Sequence, residues 1–293
     1  MRFCAQRSEL SALLQDIDGL KASPEDGLWV WRPAYSSGGV QAELLDNRAA
    51  VGEEHDGQLL PYTPACSVSQ LFVASGGRSC TVGFSTQWQS CHNPQRPFCF
   101  GGAVNCSDLD ASACDLAQRC ADCLARALSL RGLNNIDYLW DGRDLYFLEL
   151  NPRPSSTMQL YEDVFEQGLF AVHWQACCAE SASFVDGLRP AKPRLVRAYM
   201  PVYMRSSCRI PAGFDRWPDD TADRPDTRCG ALRVEAGWPL CTVTADGASS
   251  AEVLTLLQQR MRQVFETLEC TGALNQSQAH VGFEQPQANE SQG

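Results

Sequence analysis

The fold turns on one stretch, Asn135-Ile136-Asp137-Tyr138-Leu139-Trp140-Asp141-Gly142-Arg143-Asp144-Leu145-Tyr146-Phe147-Leu148-Glu149-Leu150-Asn151-Pro152-Arg153-Pro154. Two runs rich in aromatic and aliphatic residues flank an Asp-Gly pair, a strong local turn signal, so the stretch reads as a β-hairpin. Asp137, Glu149 and Asn151 interrupt otherwise apolar strands. Register decides whether the three act together. A two-residue loop at Asp141-Gly142 points Asp137 away from Glu149. A three-residue loop, Trp140-Asp141-Gly142, with Gly142 left-handed in a bulge, pairs Leu139 with Arg143 and Asp137 with Leu145. The three polar residues then share a face, with Arg153 just beyond the strand end. This second register is the one expected. Two carboxylates and an amide oxygen suit a hard cation, Mg²⁺ or Mn²⁺, which takes oxygen ligands and keeps bonds to substrate phosphates. Arg153 offers a fork for phosphate oxygens.

The run from Asp137 to Glu149-Leu150-Asn151-Pro152-Arg153 resembles the metal-binding hairpin of the ATP-grasp superfamily, in the carboligase-like branch related to biotin carboxylase and carbamoyl phosphate synthetase. The resemblance implies Asp137, Glu149 and Asn151 as metal ligands and Arg153 as a phosphate contact. It implies an α+β fold of two lobes whose antiparallel sheets clasp a nucleotide. The bland alternative is a buried structural hairpin with a coincidental Glu-x-Asn. Against it stands the cost of two strand carboxylates facing a core without cation or donors.

Composition narrows the function classes. The chain has 293 residues, 44% hydrophobic, enough for one large domain or two lobes. A net charge of −11 without a basic tract argues against nucleic acid or an anionic membrane as the main partner. The first residues lead into a polar amphipathic stretch rather than an apolar leader, and no apolar run is long enough to span a bilayer; a cytoplasmic protein is expected. Fifteen cysteines spread over this length do not make a small disulfide scaffold. The CxxC at Cys120 and Cys123 lies in a helical apolar stripe with Leu116, Leu124 and Leu128, which favours packing over a zinc or redox role. Of 24 basic residues only Lys21 and Lys192 are lysine.

Along the chain, Ser8 to Leu20 reads as a helix and Leu28 to Arg32 as a strand. Pro33-Ala34-Tyr35-Ser36-Ser37-Gly38-Gly39 follows, small and glycine-rich, so its backbone N–H groups can approach phosphates, although an ordinary hairpin turn would look the same. The resemblance makes Ser36, Ser37, Gly38 and Gly39 a phosphate loop and sets Arg32 where the family has a phosphate-binding lysine. It also makes Leu59, Leu60, Pro61 and Tyr62 adenine contacts, with Pro61 in place of the usual hinge glutamate. A hairpin around Gly76-Gly77, a helix over Ser107 to Arg131, a helix over Val164 to Glu180, a strand over Leu195 to Met204, a loop over Ser206 to Arg228 and a helix from Ser250 to about Leu268 complete the reading.

The domain expectation is a helical remnant at residues 1–24, ATP-grasp lobes at 25–190, a C-terminal α+β part at 191–269 packing on them, and a polar tail at 270–293. The N-terminal α/β domain that precedes the lobes in this superfamily is expected to be lost, or supplied by a partner chain or homo-oligomer. The implied activity is an ATP-dependent ligase that joins small-molecule carboxylate and amine substrates through an acyl phosphate, releasing ADP and phosphate. Trp217-Pro218-Asp219 and Gly237-Trp238-Pro239 resemble carboligase-like relatives, some of which occur with one-carbon cofactor metabolism. The rival reading is a non-catalytic ATP-binding subunit of a larger complex.

Overall fold

The computed structural model describes residues 20–21, 28–33, 39, 41–46, 57–90, 96–179 and 181–270. Along these the strands are β1 (Leu20–Lys21), β2 (Trp29–Pro33), β3 (Glu43–Leu45), β4 (Gly57–Pro61), β5 (Cys66–Ser75), β6 (Arg78–Gln89) and β7 (Phe100–Val104). They continue with β8 (Gly132–Trp140), β9 (Leu145–Asn151), β10 (Val196–Tyr203), β11 (Cys208–Ile210), β12 (Thr221–Ala222), β13 (Leu232–Val234) and β14 (Pro239–Gly247). The helices are α1 (Ala111–Ala127), α2 (Leu169–Cys178), α3 (Ser183–Asp186) and α4 (Ser250–Cys270). Two compact units result: one takes the described residues of 1–26, 61–87 and 104–194, the other those of 27–60, 88–103 and 195–293.

In the first unit the strands lie in the order β1-β9-β8-β5-β6. The β9-β8-β5-β6 pairings are antiparallel, and β1 joins β9 in parallel. Gly76 and Gly77, at φ +59° and +76°, make the β5–β6 connection, because a two-residue hairpin turn with both φ positive suits glycine. Helix α1 begins where Asp110 accepts the Ala113 N–H at 2.7 Å. Its buried stripe, Ala113, Leu116, Ala117, Cys120, Ala121 and Leu124, packs on Val68, Phe72, Ile136, Tyr138, Trp140, Leu145 and Phe147 of the sheet. Cys120 is therefore a core residue, and burial pushes its thiol up to about 12.

The hairpin register differs from the sequence expectation. Trp140 pairs with Leu145, so the connection is the four residues Asp141 to Asp144, and Asp137 pairs with Glu149 rather than Leu145. Asp141 organises that loop by accepting the N–H groups of Arg143 at 2.9 Å and Asp144 at 2.7 Å. Gly142 is left-handed as expected, at φ +92°, but inside this longer loop. The frame is then corrected by a bulge: Tyr138 faces Phe147, Asp137 faces Glu149, and Leu148 is the extra residue between. Without it Phe147 and Glu149 would share a face. With it Phe147 stays in the core, edge-on to Tyr138 at 6.3 Å, while Glu149 turns to the Asp137 side.

The second unit holds a three-stranded sheet in the order β3-β2-β4, a set in the order β7-β10-β14-β12, and the β11–β13 pair. Helix α4 packs on β10 and β14. Two expectations need correction. The stretch Ser206 to Arg228 is not all loop, because Cys208-Arg209-Ile210, alternately buried and exposed, pairs with β13, and Thr221-Ala222 pairs with β14. The helix expected over Val164 to Glu180 starts later, at Leu169, after Gly168 at φ +80°. Strand β10 and helix α4 fall where expected. Leu20, the last residue of the expected first helix, lies in β1 instead; residues 8–19 of that helix and the tail beyond Cys270 lie outside the described residues.

Candidate metal and phosphate site

One face of the β9-β8-β5-β6 ladder carries a polar patch, and the strand pairings set its rows. Asp137 stands opposite Glu149 on one side and Ser69 on the other, Asn135 opposite Asn151, Ser69 opposite Ser85, and Ser67 opposite Gln87. The Asn151 side-chain nitrogen reaches both acids, at 3.0 Å from Asp137 Oδ2 and 3.2 Å from Glu149 Oε1. Asp137 Oδ1 accepts from Asn135 Nδ2 at 2.9 Å and, at longer range, from Gln87 Nε2 at 3.4 Å. Asn135 is itself held through its oxygen by the hydroxyls of Ser69 at 2.7 Å and of Ser155 and Thr157 at 3.3 Å each. That triple donation fixes which end of the Asn135 amide meets Asp137.

Burial, and then the charge of Glu149, push the Asp137 carboxyl up to about 7. A carboxylate so placed gains from a cation, and the donor set here is all oxygen once the Asn151 amide makes a half-turn to present Oδ1. The residues fit a hard divalent ion. Two acids and an amide fall short of a cluster of three His, Cys, Asp or Glu, and no such cluster occurs among the described residues.

Arg153 sits in the turn after β9, where its N–H bonds the Asn151 carbonyl at 2.8 Å; its exposed guanidinium reaches the Pro154 carbonyl at 3.2 Å. The structure thus brings Asp137, Glu149 and Asn151 onto one face with Arg153 two residues past it. Arg32 lies half-buried on β2, and Leu59 and Leu60 half-buried on β4, all in the second unit. Pro61 ends β4 and Tyr62 follows it. Gly39 has φ +71°, and a Cβ there would overlap the Phe98 carbonyl oxygen, so the glycine is required by both conformation and space. Ser36, Ser37 and Gly38 lie outside the described residues.

Residues 16–157 match the family profile described as ATP-grasp domain. The fold is ATP-grasp. Solved structures agree with that fold. The biotin carboxylase βγ-ATP complex of Campylobacter jejuni aligns with a TM-score of 0.62 at 12% identity, over 89% of this chain and 66% of its own. An L-amino acid ligase of Bacillus licheniformis aligns at 0.66 and 12% identity, over 89% and 71%. The biotin carboxylase domain of the Hydrogenobacter thermophilus 2-oxoglutarate carboxylase, crystallised with MgADP, ADP and bicarbonate, aligns at 0.58 and 11% identity, over 90% and 60%. Among curated relatives, the carbamoyl phosphate synthase large chain of Clostridium acetobutylicum is 46% identical over 41 residues, 14% of this chain and 4% of that one. The chain therefore spans only part of the length of the proteins it resembles. No helix among its described residues is long and apolar enough to cross a membrane.

Reading the sequence missed Asn135, Ser69 and Gln87 as supports of the acid pair. Parity along the strands carried a signal for Asn135, two positions before Asp137. Nothing local tied Ser69 or Gln87 to it, because only the sheet order brings β5 and β6 beside β8.

Proposed function

We propose that this ATP-grasp chain is an ATP-dependent ligase of the carboxylate–amine type. The observation that carries the reading is the acid pair Asp137 and Glu149, set opposite each other by a bulge, spanned by Asn151 and followed by Arg153, inside the segment that matches the ATP-grasp profile. Asp137, Glu149 and Asn151 would hold Mg²⁺ or Mn²⁺, with Asn135 and Gln87 fixing the Asp137 carboxylate. An ion held there would supply positive charge to offset that of the ATP phosphates. On the resemblance of the sequence, Arg153 and Arg32 would each serve as phosphate contacts, the glycine-rich Ser36 to Gly39 would offer backbone N–H groups to phosphate, and Leu59 to Tyr62 would contact adenine. Attack by the substrate carboxylate gives an acyl phosphate and ADP, and an amine then displaces phosphate. No nucleophile of the protein is needed, so the work is positioning and charge stabilisation. ADP release screened over acids and amines, one-carbon cofactor precursors among them, tests this reading. Turnover undiminished in Glu149→Ala would overturn it.

A second reading, a non-catalytic ATP-binding subunit, is favoured by Pro61, which has no N–H to offer adenine, and by Arg32 in place of a lysine. ATP binding without ADP release until a second polypeptide is added would favour that reading; turnover by this chain alone would exclude it.

A further inference from the structure

Arg153 stands on a short arch. Only Pro152, Arg153 and Pro154 separate Asn151, the last residue of β9, from Ser155. Both prolines have a fixed φ, and both Asn151 and Arg153 are restricted by the proline that follows, so the arch has little backbone freedom. The Arg153 N–H closes a tight turn on the Asn151 carbonyl at 2.8 Å. The exposed guanidinium reaches the carbonyl of its own neighbour Pro154 at 3.2 Å, a contact that aims it at nothing beyond the arch. Where the arch is anchored therefore decides where this charge points.

Both ends of the arch are anchored on Asn135. At the near end Asn151 is its ladder partner. At the far end Ser155 precedes the short 3₁₀ helix Ser156–Tyr161, a position where serine ordinarily caps, yet its hydroxyl makes no cap bond. It lies instead 2.7 Å from the hydroxyl of buried Thr157, and both hydroxyls reach Asn135 Oδ1 at 3.3 Å. Asn135 does not depend on them for its place, because Ser69 holds the same oxygen at 2.7 Å while Asn135 Nδ2 donates to Asp137 at 2.9 Å. The shorter bonds are to the sheet, so the sheet fixes Asn135 and Asn135 fixes the arch. Beyond Thr157 the chain stays on the same face. Tyr161 bonds Ser85, the ladder partner of Ser69, at 2.9 Å, and a Cβ on Gly83 would overlap its ring. We propose that Ser155 and Thr157 are positioning residues that lock the arch onto Asn135, so that the amide holding Asp137 also sets Arg153 at a fixed offset from the acid pair. The proposal rests on reading this face as a site for Mg·ATP. Neither hydroxyl needs to touch the nucleotide; each acts through Asn135 and the two prolines on where the guanidinium meets phosphate.

Calorimetric titration of the full chain with Mg·ATP tests this through a double-mutant cycle. Ser155→Ala combined with Thr157→Val removes both hydroxyls while valine keeps the buried volume, and should weaken Mg·ATP binding about tenfold. Arg153→Ala should weaken it by a similar factor, and adding it to the hydroxyl pair should cost nothing further, because an arginine that is absent cannot be misplaced. Thr157→Ser alone keeps the hydroxyl and should keep wild-type affinity. Pro154→Gly loosens the arch without touching either hydroxyl, so it should reproduce the loss even if the hydroxyl variant fails to fold. A general loosening of the site would instead multiply the two losses to about a hundredfold, and that result overturns the proposal. Unchanged affinity in the hydroxyl variant or in Pro154→Gly also overturns it, while leaving the reading as an Mg·ATP site intact. A wild type that binds no Mg·ATP removes that reading and this proposal together.

Discussion

The two faces of the β8–β9 ladder are made by the same seventeen-residue hairpin and do opposite jobs. On one, Ile136, Tyr138, Trp140, Leu145 and Phe147 close on helix α1; on the other, Asp137, Glu149, Asn135 and Asn151 gather two acids and two amides. Strict alternation cannot produce this arrangement, because Phe147 and Glu149 are two residues apart and would face the same way. The single extra residue at Leu148 separates them. A bulge beside a functional site re-aims one side chain while leaving the core side of the strand in place.

That contrast can be broken from either side. On the acid face the largest effect is expected from Glu149→Gln, which should lower Mg²⁺-dependent ADP release by about 10³-fold while the fold persists; comparable loss in thermal stability would mean the residue is structural. On the core face Phe147→Ala should cost about 3–4 kcal/mol in urea denaturation, since it empties a site packed edge-on against Tyr138.

Asp137→Asn should act in opposite directions on stability and activity. The folded carboxyl titrates near 7, above the usual value near 3.9, so the folded state holds a proton that the unfolded chain has lost. Stability from this group is therefore fully present below about pH 4, falls as pH rises toward 7, and is at its lowest above that. In chelator at pH 8 the Asn variant should be more stable than wild type by about 2 kcal/mol, with the gap closing toward pH 4, yet inactive with Mg·ATP. Wild type and variant of equal stability at pH 8 would mean that Asp137 ionises without cost.

Smaller effects should come from the supports. Asn135→Ala removes the donor to Asp137 Oδ1 and the shared acceptor of Ser69, Ser155 and Thr157, and should raise the half-saturating Mg²⁺ concentration by about 10–100-fold. Gln87→Leu, whose contact is 3.4 Å long, should raise it only about two- to five-fold. If the two variants behaved alike, the ranking of these supports by geometry would be wrong.

The hairpin, the α1 stripe and the Gly76-Gly77 turn were all legible, because each rests on spacing within a short window, whereas α1, expected from Ser107 to Arg131, runs only from Ala111 to Ala127. The short strands at Cys208 and Thr221 were not, since three residues or fewer give too little period to count and their partners lie more than ten residues away. The start of α2 was misplaced because apolar Val164 and Phe165 extend its pattern past the point where Gly168 turns left-handed.

For the site, the sequence by itself determined the cast: two acids, an amide and an arginine at hairpin spacing, with a glycine-rich loop upstream. It could not determine the frame. The four-residue loop puts the strands out of step with the expected register, and the step is recovered at Leu148, which keeps Phe147 in the apolar core with Tyr138 and turns Glu149 away from that core to the Asp137 side. That competition between packing an aromatic ring in an apolar core and giving a carboxylate polar partners is settled where the hairpin meets α1 and β5, at distances along the chain that no local pattern spans. Tertiary structure therefore decided which residues face the acid pair, and through Asn135 and Gln87 how firmly Asp137 is held.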